Sequence, residues 1–185
     1  MEQGLILETE RLLLREFQLG DTEALQRAFG DPIAMEYYPA PFSRSQVEDW
    51  IRRNQARYSD CGFGLWAMLL KCSGELIGDC GFFVRDVEGE FDFELAWHVR
   101  RDVWGQGFAT EAARGCIDSA FSTFGAERMI ALIRPENLSS CRVAEKNGMR
   151  REKMILWHGY SHCVYVKNKI RRTARHAAPR RQQGQ

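Results

Sequence analysis

The stretch RDVWGQGFATEA, residues 101–112, decides the fold because it joins a predicted strand to a predicted helix through two closely spaced glycines. Trp104 precedes Gly105 and Gly107, and FATEA then has the character of a first helical turn. The first N–H groups of a helix have no partner within it, and the helix dipole adds partial positive charge there. Because glycines keep side chains away from those N–H groups, the pattern predicts a binding site for an anion such as a phosphate.

Two common nucleotide-binding patterns do not fit this stretch. A Rossmann fingerprint requires a third glycine where Thr110 stands, and its first strand opens a βαβ unit instead of closing a meander. A P-loop requires Lys and then Ser or Thr after its last glycine, and this stretch has neither. The pyrophosphate of coenzyme A is the third ligand of this kind, and a motif downstream supports it.

The 185 residues, 44% hydrophobic and 28% charged, are enough for one domain with a sizeable core. We expect that domain to span residues 1–169. From Lys167 onward there are seven Lys or Arg and no Asp or Glu, and the stretch has no hydrophobic pattern. Residues 170–185 are therefore expected to be a disordered basic tail, either simply solvated or in weak contact with RNA or a ribosome.

Composition also excludes several classes of protein. No apolar run approaches the roughly 18 residues that a membrane span requires, and the acidic start MEQGLILETE is unlike a secretory signal. The six cysteines form no C-x-x-C pair, and neither they nor the four histidines have the spacing of metal ligands. We therefore expect a cytoplasmic protein with free thiols, no metal and no membrane partner.

The hydrophobic pattern predicts an α+β domain of about seven strands and about four helices. TERLLLREF, residues 9–17, is predicted to be the first strand, and Ser43 with Gln46 forms a capping box that opens a helix to about residue 58. Further strands are predicted at residues 63–70, 76–84, 91–99, 128–133, 149–157 and 161–169. Further helices are predicted at residues 107–124 and 139–147, and another is capped by Asp21 and runs to Phe29. An antiparallel meander followed by a β-α-β crossover makes the predicted sheet mixed.

The downstream motif, RPENLSSCRVAEKNGM at residues 134–149, places Asn137 and Ser140 at the start of a helix. Together with TERLLLREF, PFSRSQVEDW, ELAWHV and WGQGFATEA it resembles the GNAT superfamily of acyl-CoA N-acyltransferases. Within that superfamily it is similar to the RimJ/RimL type, the ribosomal-protein N-terminal acetyltransferases, over residues 5–169. The wider superfamily usually begins its phosphate loop with Gln or Arg, whereas this branch often has Trp, as at Trp104.

The resemblance implies a mostly antiparallel, twisted sheet with a V-shaped split between two central parallel strands, residues 91–99 and 128–133. Acetyl-CoA would lie in that split as a cosubstrate. The phosphate loop would comprise Trp104, Gly105, Gln106, Gly107, Phe108, Ala109 and Thr110, with backbone N–H groups of Gln106, Gly107, Ala109 and Thr110 as donors. The pantetheine arm would pair with the edge formed by Trp97, His98 and Val99, where the family has a β-bulge, and would hydrogen-bond to Asn137.

Glu94 is the candidate general base. It lies on the polar face of its strand with Asp92 and His98, and this row is expected to line a wet cleft and to attract a cationic amine. Alternatively, Glu94 pairs with an arginine as structure, and His98 is either a proton relay or a simply hydrogen-bonded histidine. Many members of the family use a tyrosine in the helix after the Asn to stabilise or protonate the departing thiolate, and this chain has none there. The resemblance to the RimJ/RimL type implies Ser140 in that role. Alternatively, Ser140 only caps its helix.

The acceptor pocket is expected to use the early aromatic residues Tyr37, Tyr38 and Phe42, which alternatively pack in the core, with Trp157 and Tyr160 closing the opposite wall. The resemblance implies direct acetyl transfer to a primary amine in a ternary complex. That amine would belong to a protein N-terminus or to a small molecule such as a polyamine, an aminoglycoside or an amino acid. A non-catalytic acyl-CoA-binding module is the alternative from another class, and either a monomer or a homodimer suits the sequence.

Overall fold

The computed structural model describes residues 4–170, so nearly all of the predicted basic tail at residues 170–185 lies outside the described residues. The strands are β1 (Leu5–Glu8), β2 (Leu12–Arg15), β3 (Leu65–Leu70), β4 (Leu76–Val87), β5 (Glu90–Val99), β6 (Arg128–Ile133), β7 (Arg150–Trp157) and β8 (Tyr160–Asn168). The helices are α1 (Thr22–Phe29), α2 (Arg44–Cys61), α3 (Phe108–Ser122) and α4 (Leu138–Lys146). Two 3-10 turns, Leu19–Asp21 and Arg101–Val103, complete the regular structure between residues 4 and 170.

All eight of these strands belong to one sheet in the order β1-β2-β3-β4-β5-β6-β8-β7. Neighbouring strands run antiparallel, with β5 and β6 as the one parallel pair in the described sheet. That pair is parallel because α3 carries the chain from one end of the sheet to the other before β6 begins. The predicted α+β fold with a mixed, mostly antiparallel sheet is confirmed.

The prediction of a single first strand over residues 9–17 is wrong. The segment instead completes a hairpin, because β1 and β2 pair around a turn in which the Thr9 N–H donates to the Leu12 carbonyl (3.0 Å). The short apolar run before Thr9 is itself a strand, and this raises the number of strands from about seven to eight. The other predicted elements are present, with ends displaced by up to three residues.

Helix α2 begins as its sequence predicts. The Ser43 hydroxyl accepts from the Gln46 N–H (3.4 Å), and the Gln46 side chain accepts from the Ser43 N–H (2.8 Å), which completes the capping box. The helix ends one turn later than predicted, at Gly62, which adopts the left-handed conformation.

The sheet separates two helical layers. Helices α3 and α4 cover one face, where Leu95 of β5 is buried against Ala112 and Cys116 of α3. Helices α1 and α2 cover the other face over β3 and β4. As the alternation along β5 predicts, Phe93 and Leu95 belong to the α3 side, so Glu94 and His98 point to the opposite face. The polar side chains of β5 therefore face the side of the sheet on which no helix among the described residues covers the strands beyond β5, namely β6, β8 and β7.

The strands β5 and β6 separate after a short paired region. Within residues 4–170 they are in register at Phe93 with Met129 and at Glu94 with Ile130, and the rest of each strand has no partner in the other. This confirms the V-shaped split. The expected β-bulge near Trp97 is not found, because β4 and β5 stay in continuous register. A Cβ atom at Gly78 would lie 2.0 Å from the His98 carbonyl oxygen, so only glycine permits this close pairing.

Candidate active site

The uncapped start of α3 forms one end of the site. Gly105 (φ 77°) and Gly107 (φ 84°) both adopt the left-handed conformation after the turn that follows β5. Gly107 is the N-cap residue of α3 and supplies no side-chain hydrogen bond to the helix. The first N–H groups of α3 are therefore available to an anion, and the positive end of the helix dipole favours its binding.

Two side chains, of Trp104 and Arg11, fix the turn at residues 104–107 with hydrogen bonds. The Trp104 indole N–H donates to the Val99 carbonyl (2.7 Å), which ties the loop to the end of β5. Arg11 donates from Nη1 to the Gln106 carbonyl (3.0 Å) and from Nε to the Glu111 carboxylate (2.7 Å). Sequence analysis missed Arg11 and Glu111, because about a hundred residues separate them and no local signal links them.

A cleft of about 800 Å³ extends from the start of α3 through the split to the β7–β8 turn. The predicted coenzyme-binding residues that line it are Trp97, His98, Val99, Trp104, Gly105, Gly107, Phe108, Ala109, Thr110, Asn137 and Ser140. The other predicted residues that line it are Glu94, Tyr37, Tyr38, Trp157 and Tyr160. The structure thus brings together side chains from both halves of the chain.

Two predicted site residues do not line the cleft. The backbone of Gln106 is held by Arg11 on the outer side of the loop. Phe42 packs edge-to-face against Phe29 (5.4 Å between ring centroids) and Trp50 (6.0 Å), so it belongs to the core between α1 and α2. This outcome matches the core-packing alternative for Phe42.

Glu94 lies where β5 and β6 begin to diverge, and its side chain is 9% exposed. Arg85 of β4 donates a hydrogen bond from Nε to the Glu94 carboxylate. Burial raises the pKa of Glu94 above its ordinary value, and the charge of Arg85 opposes that rise. A buried carboxylate with a raised pKa in a cleft suits a general base, while its bond to Arg85 also fits the structural alternative.

The polar row of β5 does not make the cleft acidic. Asp92 is bonded to Arg128 and does not line the cleft, and Glu94 is bonded to Arg85. The charged residues that line the cleft are two carboxylates, Glu36 and Glu94, and four cations, Arg85, Arg134, Arg142 and Lys146. The attraction of a cationic amine by this row stays a prediction, and its support is weaker than expected because an arginine pairs with each of the two carboxylates.

His98 belongs to a chain of hydrogen bonds that sequence analysis did not foresee. Its Nδ1 lies 2.7 Å from Asp79 Oδ1, and its Nε2 lies 2.5 Å from the Tyr38 hydroxyl. Asp79 is fully buried and also accepts from Trp50 Nε1 (2.9 Å). If Asp79 accepts from the Nδ1–H group of a neutral imidazole, Nε2 is left to accept from Tyr38. The available signal was the single acid Asp79 in the otherwise apolar stretch of residues 76–84 in β4.

Tyr38 as a residue is 39% exposed, but desolvation of its hydroxyl next to His98 raises the pKa of Tyr38, and the nearby Asp79 carboxylate raises it further. The Tyr38 hydroxyl therefore stays protonated at neutral pH and is the natural donor in its contact with His98.

Asn137 and Ser140 define the other wall, at the start of α4. The Asn137 side-chain oxygen accepts from the Ser140 N–H (3.0 Å) and from the Ser139 hydroxyl (2.9 Å), so Asn137 is the N-cap. Ser140 enters this cap through its backbone. No hydrogen bond occupies its hydroxyl in the described part of the chain, so that group is available to a ligand.

Aromatic side chains form part of the wall of the cleft. The Tyr37 hydroxyl donates to the Glu136 carbonyl (3.2 Å), which joins the α1–α2 loop to the segment before α4. The Arg134 guanidinium lies over the Tyr160 ring, 4.4 Å from its centroid, and forms the adjoining wall. Tyr37 and Tyr160, which were predicted to line the acceptor pocket, both line the cleft and are each held by one of these contacts.

No helix in the described range is both long and apolar enough to cross a membrane. Residues 4–170 also contain no cluster of His, Cys, Asp or Glu side chains suited to a metal ion. All six cysteines are free, with Cys61 and Cys72 exposed and the other four buried.

Comparison with known proteins supplies the family. The sequence model of the acetyltransferase (GNAT) domain matches residues 11–150. The chain belongs to the GNAT family. Among its relatives in Bacillus subtilis (strain 168), the uncharacterized protein YkkB is 37% identical over 150 residues, which are 80% of this chain and 87% of YkkB. The uncharacterized N-acetyltransferase YnaD is 31% identical over 145 residues, 78% of this chain and 82% of its own.

Solved structures of this GNAT family agree with the fold. A GNAT-family acetyltransferase from Bacillus anthracis superimposes with a TM-score of 0.75 at 28% identity, over 88% of this chain and 97% of that one. The resemblance seen in the sequence is confirmed at the level of the GNAT superfamily. This GNAT protein is an acetyl-CoA-dependent acetyltransferase.

Proposed function

We propose that this GNAT protein transfers the acetyl group of acetyl-CoA directly to a primary amine in a ternary complex. The observation that carries the proposal is the uncapped start of α3, which opens onto the split between β5 and β6. One cleft therefore offers both an anion site and a slot for an extended arm. Its volume of about 800 Å³ is in the range that small-molecule sites occupy.

The residues present fit acetyl-CoA. Backbone N–H groups of Gly107, Ala109 and Thr110 would bind the pyrophosphate, since no Cβ atom at Gly107 obstructs them. Arg142 and Lys146 line the cleft from α4 and would offset phosphate charge. The free backbone edge of Trp97 and His98, together with the Asn137 amide, would bind the pantetheine arm.

Acetyl-CoA supplies the acetyl group as an activated thioester. We assign Glu94 to accept, directly or through one water, the proton that the attacking amine loses as its nitrogen bonds to the acetyl carbon. The carbon–sulfur bond breaks in the same exchange, and we assign the Ser140 hydroxyl to stabilise the departing thiolate. The raised pKa of Glu94 makes its carboxylate a stronger base than an exposed glutamate would be.

His98 is the candidate relay. In the observed arrangement its Nε2 can take a proton that the Tyr38 hydroxyl passes on from the acceptor, and Asp79 would then stabilise the imidazolium. The alternative is that His98 only holds Tyr38 in place as a wall of the acceptor pocket.

The acceptor is a primary amine. The similarity of the motifs to the RimJ/RimL type favours a protein N-terminus, and a small-molecule amine is the alternative within the same chemistry. We place the protein in the cytoplasm, since two exposed and four buried free cysteines suit a reducing compartment.

The test combines coenzyme binding with thiol release from acetyl-CoA over a panel of amines. We expect wild-type protein to bind acetyl-CoA and to release thiol with at least one amine. Glu94→Gln and Ser140→Ala should each lower kcat by about 100-fold or more while acetyl-CoA still binds. The matched control Glu10→Gln, at an exposed position, should behave as wild type.

Binding without release for every amine would refute the proposal and favour a non-catalytic acyl-CoA-binding module. Unchanged kcat in both Glu94→Gln and Ser140→Ala would refute the assigned roles while leaving acetyl transfer standing.

A further inference from the structure

We infer that the preferred amine carries an anionic group, a carboxylate, and that Arg134 binds it. This inference rests on the proposed function, since it concerns the acceptor of the same reaction. It follows from the charges at the end of the cleft where the candidate base lies.

A continuous set of contacts places Arg134 at that end. Arg85, which hydrogen-bonds to Glu94, lies over the Trp157 ring, 5.3 Å from its centroid. Trp157 is the register partner of Tyr160 across the β7–β8 turn. The Tyr160 ring in turn lies beneath the Arg134 guanidinium at 4.4 Å. Base, aromatic wall and second arginine therefore line one part of the cleft.

The charges of this group do not cancel. Glu94 and Arg85 neutralise each other through their hydrogen bond. Arg134 has no comparable partner: the nearest carboxylate oxygen, of Glu136, lies 3.6 Å from its Nε, and that side chain is 62% exposed. The Arg134 Nε is buried without a hydrogen bond among the described residues. A positive group without a hydrogen-bonded counter-ion is thus left on the wall of the cleft that also contains Glu94.

The Arg134 Nη groups also have no hydrogen bond among the described residues, and the side chain is 24% exposed, so a ligand that supplies acceptors can pair with them. The planar guanidinium matches the two oxygens of a carboxylate, and stacking on Tyr160 holds Arg134 in one orientation. A polyamine or an aminoglycoside would instead bring further ammonium groups toward Arg134, which like-charge repulsion opposes.

Two sources can supply a primary amine with a nearby carboxylate. One is a free amino acid, through its α-carboxylate. The other is a peptide N-terminus with an acidic second residue. Both sources present a primary amine close to a carboxylate, and matched pairs of acceptors distinguish them.

The experiment measures kcat/KM by thiol release from acetyl-CoA. Alanine is compared with alanine amide for the free amino acid, and Ala-Glu-Ala amide with Ala-Gln-Ala amide for the peptide N-terminus. Spermidine serves as an acceptor without a carboxylate. Because the amine pKa differs between alanine and its amide, each preference is compared between wild-type protein and Arg134→Gln. We expect the wild type to prefer one carboxylate member by about ten-fold or more. The pair that shows the preference identifies the source.

In Arg134→Gln the preference should fall to near unity, while the KM for acetyl-CoA and kcat/KM for the neutral member stay within about two-fold of wild type. Arg134→Lys, which keeps the charge without the planar fork, should retain part of the preference. The contrast variant Arg142→Gln lies at the coenzyme end and should raise the KM for acetyl-CoA with every acceptor but leave the preference unchanged.

Equal rates within both pairs, a preference for spermidine, or a preference that survives in Arg134→Gln would each overturn the inference while thiol release confirms acetyl transfer. Absence of release with every amine would overturn the proposed function together with this inference, so the two failures can be told apart.

Discussion

The substitution Gly107→Glu tests the anion site at the start of α3 most directly. A Cβ atom at this position would meet only Arg11 Nη2, at 3.6 Å, so the substitution causes no steric clash within the fold. The left-handed conformation (φ 84°) costs a side-chain-bearing residue roughly 1–2 kcal/mol of folding free energy. For a chain of this length, each kcal/mol lowers the melting temperature by about 2–4 °C.

The effect on coenzyme binding should be larger than the effect on stability. A carboxylate about 5 Å from one phosphate charge opposes it by about 3 kcal/mol at an effective dielectric constant near 20. Arg11 offers little compensation, because Gln106 and Glu111 already occupy it. We therefore expect the Kd for acetyl-CoA to rise by about 100-fold or more.

The matched control is Gly125→Glu. Gly125 is also left-handed (φ 72°), a Cβ atom there would meet nothing within 4 Å, and the residue follows α3 away from the cleft. The control introduces the same charge and similar strain, so both variants should melt at similar temperatures. Calorimetric titration with acetyl-CoA should separate them. A Gly107→Glu protein that is folded and binds acetyl-CoA as the wild type does would refute the assignment of this helix start to the pyrophosphate.

Three further predictions concern the groups around the cleft. Arg11→Gln should raise the Kd for acetyl-CoA by about ten-fold in titrations with little change in kcat, because it removes the charged hydrogen bond to the Gln106 carbonyl. The control is Arg44→Gln, which removes an exposed ion pair within α2. An unchanged Kd in Arg11→Gln would show that the bond from Arg11 to Gln106 is dispensable. In a pH series, kcat/KM should fall as the pH drops through a Glu94 pKa above 4.5, because the carboxylate is the active form. Because the pKa of Glu94 is raised in the folded state, the stability due to protonated Glu94 is present at low pH and is lost as the pH rises through that pKa. The melting temperature of Glu94→Gln should therefore rise relative to that of the wild type toward neutral pH. An opposite trend would contradict the raised pKa. Asp79→Asn should lower kcat by about ten-fold or more, because the new side-chain amide would no longer hold His98 in the tautomer whose Nε2 accepts from Tyr38. A double-mutant cycle with Tyr38→Phe should be strongly non-additive. Additive losses would show that the two side chains act separately.

Much of the fold could be predicted because its signals are local. The capping box at Ser43, the glycines at 105 and 107 and the alternation along β5 each act within a few residues, and the structure has all three. The missed hairpin shows the limit of such signals. Strand β1 is four residues long, and only its pairing with β2 makes it a strand.

The candidate site was predictable in its backbone and less so in its charges. The phosphate loop and the start of α4 could be identified from WGQGFATEA and RPENLSS, because unpaired N–H groups at a helix start follow from the chain's own conformation. Phe42 illustrates the opposite case, since an aromatic residue in a loop suits a pocket or a core equally well until its neighbours are known.

By itself, the sequence determined the order of elements from β2 onward, the GNAT superfamily and the uncapped start of α3, since these depend on backbone hydrogen bonding and on side-chain periodicity. Only the tertiary structure decided which charges meet: Arg85 with Glu94, Asp79 with His98, and Arg134 with the exposed Glu136 alone, at 3.6 Å and without a hydrogen bond. The physical reason is that electrostatic energy depends on distance and burial. Strand register and helix packing set both, and they join residues that are far apart in the chain.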